Sequence, residues 1–213
     1  MARPTNAYRS WVELNILCRQ GQKMNGAISL PHPRGHSILV LFSWLALCFL
    51  ASGTAVFVST GGWYASLHKP SWNPPSWIFG PVWTLLYALM AVAAWLVWRE
   101  GGWKSRTCAL SLFLLQLLLN ALWTPLFFGM HLTGLAFADI IALWFVLAAT
   151  LSSFWRVRKA AGALLIPYLA WVSFAATLNF SIWRMNPQVD AATSNISKKH
   201  EHRNTQRLQF AHV

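Results

Sequence analysis

Five stretches of the chain run for about 20 residues with almost no charge: Ser37 to Val58, Trp77 to Val97, Thr107 to Phe128, Leu132 to Phe154 and Gly162 to Trp183. A helix of about 20 apolar residues spans a hydrocarbon layer about 30 Å thick. In that layer every backbone polar group must be satisfied inside the segment, which selects helices or closed barrels. A barrel strand would alternate apolar and polar positions, and runs such as LSLFLLQLLLNALW (110–123) do not. The pattern predicts an all-α integral membrane protein, a five-transmembrane-helix bundle over residues 37–186.

The polar positions divide the chain further. Residues 1–36 form a basic extension in which Trp11, Leu14 and Leu17 recur at helical spacing, and Met24 offers an internal start that would leave a short lead-in to the first run. Residues 187–213 form a basic polar tail without apolar periodicity, expected to be disordered. Three of the connections, Arg99 to Arg106, Gly129 to His131 and Trp155 to Ala161, are short enough to make neighbouring helices antiparallel. The connection over 59–76 is too long for a simple turn, and its three aromatic residues and Pro70, Pro74 and Pro75 argue for an ordered segment. Two readings of it stand: a rigid connector, or a lid over something in the bundle.

Composition agrees with a membrane setting. Hydrophobic residues make up 56% of the 213 residues and charged residues 10%, against about 25% charged in soluble domains. The net charge of +12, from 17 Lys and Arg against 5 Asp and Glu, raises the question of nucleic acid. Distribution answers it: the cations sit in tails and short loops, where they flank spans beside anionic lipid headgroups, so the expected partner is membrane lipid and not nucleic acid. Arg99, Lys104, Arg106, Arg156, Arg158 and Lys159 fall in two short loops on one side, against Lys69 on the other. The positive-inside rule then places those two loops and the N-terminus in the cytoplasm and the long loop outside. Cys18, Cys48 and Cys108 have no metal-ligand spacing.

Candidate chemistry within the spans is sparse. Asp139 is the only acid in the five runs, so there is no carboxylate pair for acid–base work. No Ser–His–Asp set, HExxH motif or Gly-rich phosphate loop is present, and neither a catalytic residue, a metal site nor a cofactor is expected. Gln116, Asn120 and Trp123 lie on one face of the third run, either as glue between helices or as the wall of a cavity. Trp171, Ala175 and Leu178 share a face of the fifth run in the same way, leaving room for a flat ligand or packing tightly.

Three segments, WYASLHKPSWNPPSWIFGPVWTLLY (63–87), NALWTPLFFG (120–129) and PYLAWVSFAATLNFSIWRMN (167–186), resemble the TspO/MBR family, and the 14 tryptophans agree with it. The resemblance implies five helices, commonly a homodimer, and binding of tetrapyrroles such as protoporphyrin IX in a pocket beneath the long first loop. Matched to the motifs, it implies that Tyr64 belongs to the lid and that Trp83 and Trp171 are the pocket tryptophans. Asn120, Trp123, Ala175 and Leu178 would line the pocket walls, and Asp139 matches an acidic position on the fourth helix. His68 or Lys69 would meet the porphyrin carboxylates. The sterol-recognition pattern of animal members keeps Leu178 and Arg184 here but has Phe180 in place of its tyrosine, so weak or no cholesterol binding is expected. The WNPP and NALWTPLFFG segments look more like bacterial members, which favours a bacterial membrane over the mitochondrial outer membrane. The function implied is sensing, sequestration or transport of the ligand. The alternatives are light- and oxygen-dependent breakdown of the porphyrin in the same pocket, or a dimeric scaffold that regulates partners.

Overall fold

A computed structural model describes residues 34–53 and 61–187. The expectations for the N-terminal extension, for the tail beyond residue 187 and for the end of the first run lie outside these residues. The described chain is all-helical: α1 Arg34–Ser52, α2 Gly61–Ser66, a 3₁₀ turn Ser76–Ile78, α3 Phe79–Arg99, α4 Gly102–Thr124 continued by a π segment Pro125–Gly129, α5 Thr133–Val157 and α6 Lys159–Met185.

Four helical stretches are long and apolar enough to cross a membrane: Ser76–Arg99, Ser105–Gly129, Thr133–Val157 and Lys159–Met185. The fifth expected span is shorter among the described residues, where its apolar helix covers Ser37–Ala51. The connections are also tighter than the sequence suggests. Helix α3 stops at Arg99 and α4 starts at Gly102, because Gly101 (φ 154°) and Gly102 (φ 65°) reverse the chain in a backbone region that side chains disfavour. The first turn of α4 then meets the rest of the helix at a kink on Arg106. Between α5 and α6 only Arg158 is extended, and its backbone N–H still reaches the Phe154 carbonyl.

Helices α3, α4, α5 and α6 close a ring, each packed on the next, and α1 lies outside it against α3 and α4. Away from α2 the ring is filled. Ala91, Ala93, Ala94 and Val97 of α3 are wholly buried, small residues that let backbones come close. Phe113 stacks on Phe154 at 5.8 Å and takes the edge of Trp44 from α1 at 5.4 Å. Helices α5 and α6 come close at Gly162, where an added Cβ would stand 2.8 Å from the Trp155 Cα. The other end of the ring is capped by α2 and the strap of residues 67–78 that follows it.

Candidate functional site

Beneath that cap lies a cavity of about 840 Å³, within the size range of small-molecule sites. It is lined from α2 and the strap, from the first turns of α3, the last turn of α4 with its π segment, the first half of α5 and the second half of α6. No α1 residue lines it. Of the residues picked out in the sequence, Tyr64, Trp83, Asn120, Trp123, Trp171, Ala175 and Leu178 all stand on its wall.

Helical spacing explains the meeting. Trp83 and Tyr87, one turn apart on α3, both face inward and stack on each other at 5.4 Å. Trp171, Ala175, Leu178, Asn179 and Ile182 keep one face of α6 to the cavity. On α4, Asn120 and Trp123 open onto it, whereas Gln116, a turn farther from the cap, is buried between helices with its Nε2 3.8 Å from the Met90 sulfur. The polar stripe on α4 is therefore glue at one end and wall at the other.

The wall's polar groups are engaged with one another. The Tyr87 hydroxyl donates to Asn120 Oδ1 at 2.6 Å, and Asn120 Nδ2 donates to the Tyr168 hydroxyl at 3.0 Å, tying α3, α4 and α6 together. The Trp123 indole donates to Asn179 Oδ1 at 3.0 Å, and Asn179 Nδ2 donates to the Thr133 carbonyl at 2.9 Å, tying α4, α6 and α5. Buried polar groups carry a penalty when unpaired and little when paired, so both asparagines present a satisfied surface to the cavity. The indole N–H groups of Trp83 and Trp171 donate to no acceptor among the described residues.

The cap is built from aromatic contacts and backbone bonding. Trp63 packs edge-on against Phe127 at 5.7 Å and stacks on His131 at 4.1 Å, while Tyr64 meets Phe128 at 5.5 Å. The residue stacked on Trp63 carries a left-handed backbone (φ 57°), which turns the chain between the π segment and α5. Tyr64 donates from its hydroxyl to Asn73 Oδ1 at 3.1 Å, and burial pushes its pKa up. Asn186, beyond the end of α6, pairs with the His68 backbone in both directions at 2.9 Å and also donates to the Ile182 carbonyl at 2.7 Å. Two readings of the long connection thus resolve into a folded cap containing a helix, pinned to α6.

Two expected contacts, those of Asp139 and His68, are corrected by the geometry, and the remaining candidates are placed with them. Asp139 does not line the cavity; its neighbour Ile140 does, and one residue is about 100° around a helix. One of its carboxylate oxygens is buried without a hydrogen-bond partner. Lys69 reaches the cavity, but its ammonium is engaged by the carbonyls of Tyr64, Ala65 and Leu67 at 2.6, 3.2 and 3.1 Å, closing the C-terminal end of α2. His68 stands outside the lining. Of the sterol-pattern residues, Leu178 points inward, while Phe180, packed against Phe137 and Trp183, and Arg184 are exposed.

Sequence reasoning missed Tyr87, Tyr168, Asn179 and Asn186. The first three were within reach, standing four residues after Trp83, three before Trp171 and four after Ala175, spacings that share a helix face. Asn186 carried no such signal, because its partner lies 118 residues away in the strap.

A ring of apolar helices around one capped, aromatic cavity defines an integral membrane protein with a ligand-sized chamber. The chain belongs to the TspO/MBR family, whose profile matches residues 39–184. Protein CrtK of Rhodobacter capsulatus is 40% identical over 154 residues, 70% of this chain and 94% of its own. The translocator protein of Homo sapiens is 44% identical over 143 residues, 65% of this chain and 83% of its own. The tryptophan-rich protein TspO of Chlorobaculum tepidum is 43% identical over 155 residues, 70% of this chain and 98% of its own.

Proposed function

We propose that the chain is a membrane receptor that binds a tetrapyrrole such as protoporphyrin IX in this cavity, for sensing, sequestration or transport. The observation that carries the reading is the wall itself: about 840 Å³ bounded by Trp83, Trp123, Trp171, Phe79 and Phe127, with its amides and phenols bonded to each other. Such a wall favours a large apolar ring system held by stacking and edge contacts, each worth about 0.5–1.5 kcal/mol beyond burial. Membership of the TspO/MBR family supports the same reading. The unengaged indole donors of Trp83 and Trp171 suit an acceptor on such a ligand. We read α1 as a fifth crossing, since the sequence stays apolar to Val58, and we place the cap on the side opposite the basic loops, in a bacterial membrane.

Titration with protoporphyrin IX in the dark, followed by quenching of tryptophan emission, tests the reading. Wild type should show saturable quenching, and the Trp83→Phe/Trp171→Phe double variant should bind roughly tenfold more weakly. Linear, unsaturable quenching identical in both would mean partition into the micelle and would overturn it. Repeating the titration under illumination separates binding from breakdown of the porphyrin.

A further inference from the structure

We infer that the cavity has a side entrance at Gly80, opening on the membrane at headgroup depth, through which an apolar or amphiphilic flat ligand passes. The inference rests on the cavity being a ligand site, and it assigns the route to it.

Among the lining residues, only Ala65, Pro75, Ser76 and Gly80 are exposed, so the cavity meets the outside along the seam that runs from α2, past the strap, to the first turn of α3. The two ends of that seam differ. At the α2 end it is crossed by bonds: Tyr64 donates across it to Asn73, and the Lys69 side chain folds back over the Tyr64 ring at 4.8 Å with its ammonium on the α2 carbonyls. At the α3 end no hydrogen bond among the described residues crosses it. Beyond its chain neighbours and its own helix backbone, a Cβ built on Gly80 meets no atom of the described residues within 4 Å, although the residue both lines the cavity and is exposed. A glycine in a helix with free space beside it is destabilising relative to Ala by about 0.5–1 kcal/mol, and neither a turn nor a close approach requires it here.

The surroundings of this opening are those of a membrane boundary. Gly80 lies four residues into the span that starts at Ser76, roughly 6 Å along the helix axis. The same outer face carries Trp77, which is 73% exposed, and Thr84, whose hydroxyl is engaged by the Gly80 carbonyl at 2.9 Å. Trp at a span end marks the interface, and a face with its hydroxyl already bonded offers a passing apolar ring no polar obstacle. Above, the cap is pinned by Asn186 to the His68 backbone and closed by Leu67, which is buried with Phe127 and Ile182. A ligand dissolved at the level of the headgroups thus meets an open glycine, whereas one in water meets a bonded lid.

The test uses the full chain in lipid nanodiscs and the rates of protoporphyrin IX quenching by stopped flow. An obstruction in a passage slows entry and exit alike. Gly80→Leu should lower both rate constants by about tenfold or more with Kd kept within about threefold, and Gly80→Ala should show a smaller effect of the same kind. A raised Kd with an unchanged association rate would make Gly80 merely a piece of wall, and unchanged rates in both variants would put the entrance elsewhere. A second measurement does not depend on porphyrin: alkylation of Gly80→Cys, corrected for the native thiols by the wild type. A lipid-soluble maleimide should react faster than a charged, membrane-impermeant one. The reverse order would show an entrance facing water and overturn the inference. Absence of saturable binding in the wild type would count against the tetrapyrrole reading alone, leaving the alkylation to decide the entrance.

Discussion

At the scale of single residues, the site depends on side chains that bond each other before they meet any ligand. Asn120 is the hub, accepting from Tyr87 and donating to Tyr168 in a setting where Tyr168 is wholly buried. Asn120→Leu keeps the branched shape but leaves two buried hydroxyls without that partner, each carrying a penalty of about 1–3 kcal/mol. We expect a clear fall in the midpoint of thermal unfolding in detergent, read by circular dichroism. Tyr64 gives a prediction in pH. Its pKa is raised by burial, against the smaller lowering effect of the bond to Asn73. A group with a raised pKa binds its proton more tightly folded than unfolded, so its contribution is complete below the usual tyrosine pKa of about 10 and is lost as pH rises beyond it. Phenolate absorbance, taken as the difference between wild type and Tyr64→Phe, should therefore appear above the usual range, and the cap should loosen there as judged by hydrogen exchange in residues 61–76. Much of the wall could be read in the sequence because Trp83, Asn120, Trp123 and Trp171 sit in distinctive motifs. Their partners are ordinary tyrosines and asparagines whose significance comes from what stands opposite, and that is fixed only once four helices have been placed.

At the scale of elements, four of the spans were legible because about 20 uninterrupted apolar residues have one common solution in hydrocarbon. Their ends were less so: the loop expected over Arg99 to Arg106 shrinks to Glu100 and Gly101, since four polar residues in a row can still be helical once Gly101 and Gly102 have turned the chain. The short helix Gly61–Ser66 was hidden because a single turn and a half has no period to detect. The contact that sets α5 against α6 was equally silent, resting on one missing side chain. A methyl group on Gly162 would meet the Trp155 Cα at 2.8 Å and its Cε3 at 2.7 Å. The indole could swing aside but the backbone cannot, so Gly162→Ala must push the helices apart, at a cost of about 1–3 kcal/mol by analogy with overpacked cores. A lowered unfolding midpoint checks this, with Gly62→Ala, where a Cβ has free space, as the comparison whose midpoint should not fall.

At the scale of the whole molecule, the two ends of the ring have different chemistry. The end away from the cap carries Arg99, Arg106, Arg156, Arg158 and Lys159 with Glu100, and the Arg158–Glu100 ion pair at 3.1 Å joins the α3–α4 turn to the α5–α6 turn. Both partners are about two-fifths exposed, and ion pairs of this kind contribute about 0–1 kcal/mol. Glu100→Gln should accordingly leave the unfolding midpoint nearly unchanged, and the small difference that remains should shrink with added salt. A marked loss would mean that the pair fixes the helix order. The capped end is held by Asn186, by Tyr64 with Asn73 and by ring contacts, while the deepest lining residues, Tyr87 and Asn120, belong to a lattice that crosses three helices. The chamber consequently has a floor braced by three helices and a ceiling latched by hydrogen bonds: guests of different bulk would rest at one common depth, and their headroom would be set by that latch.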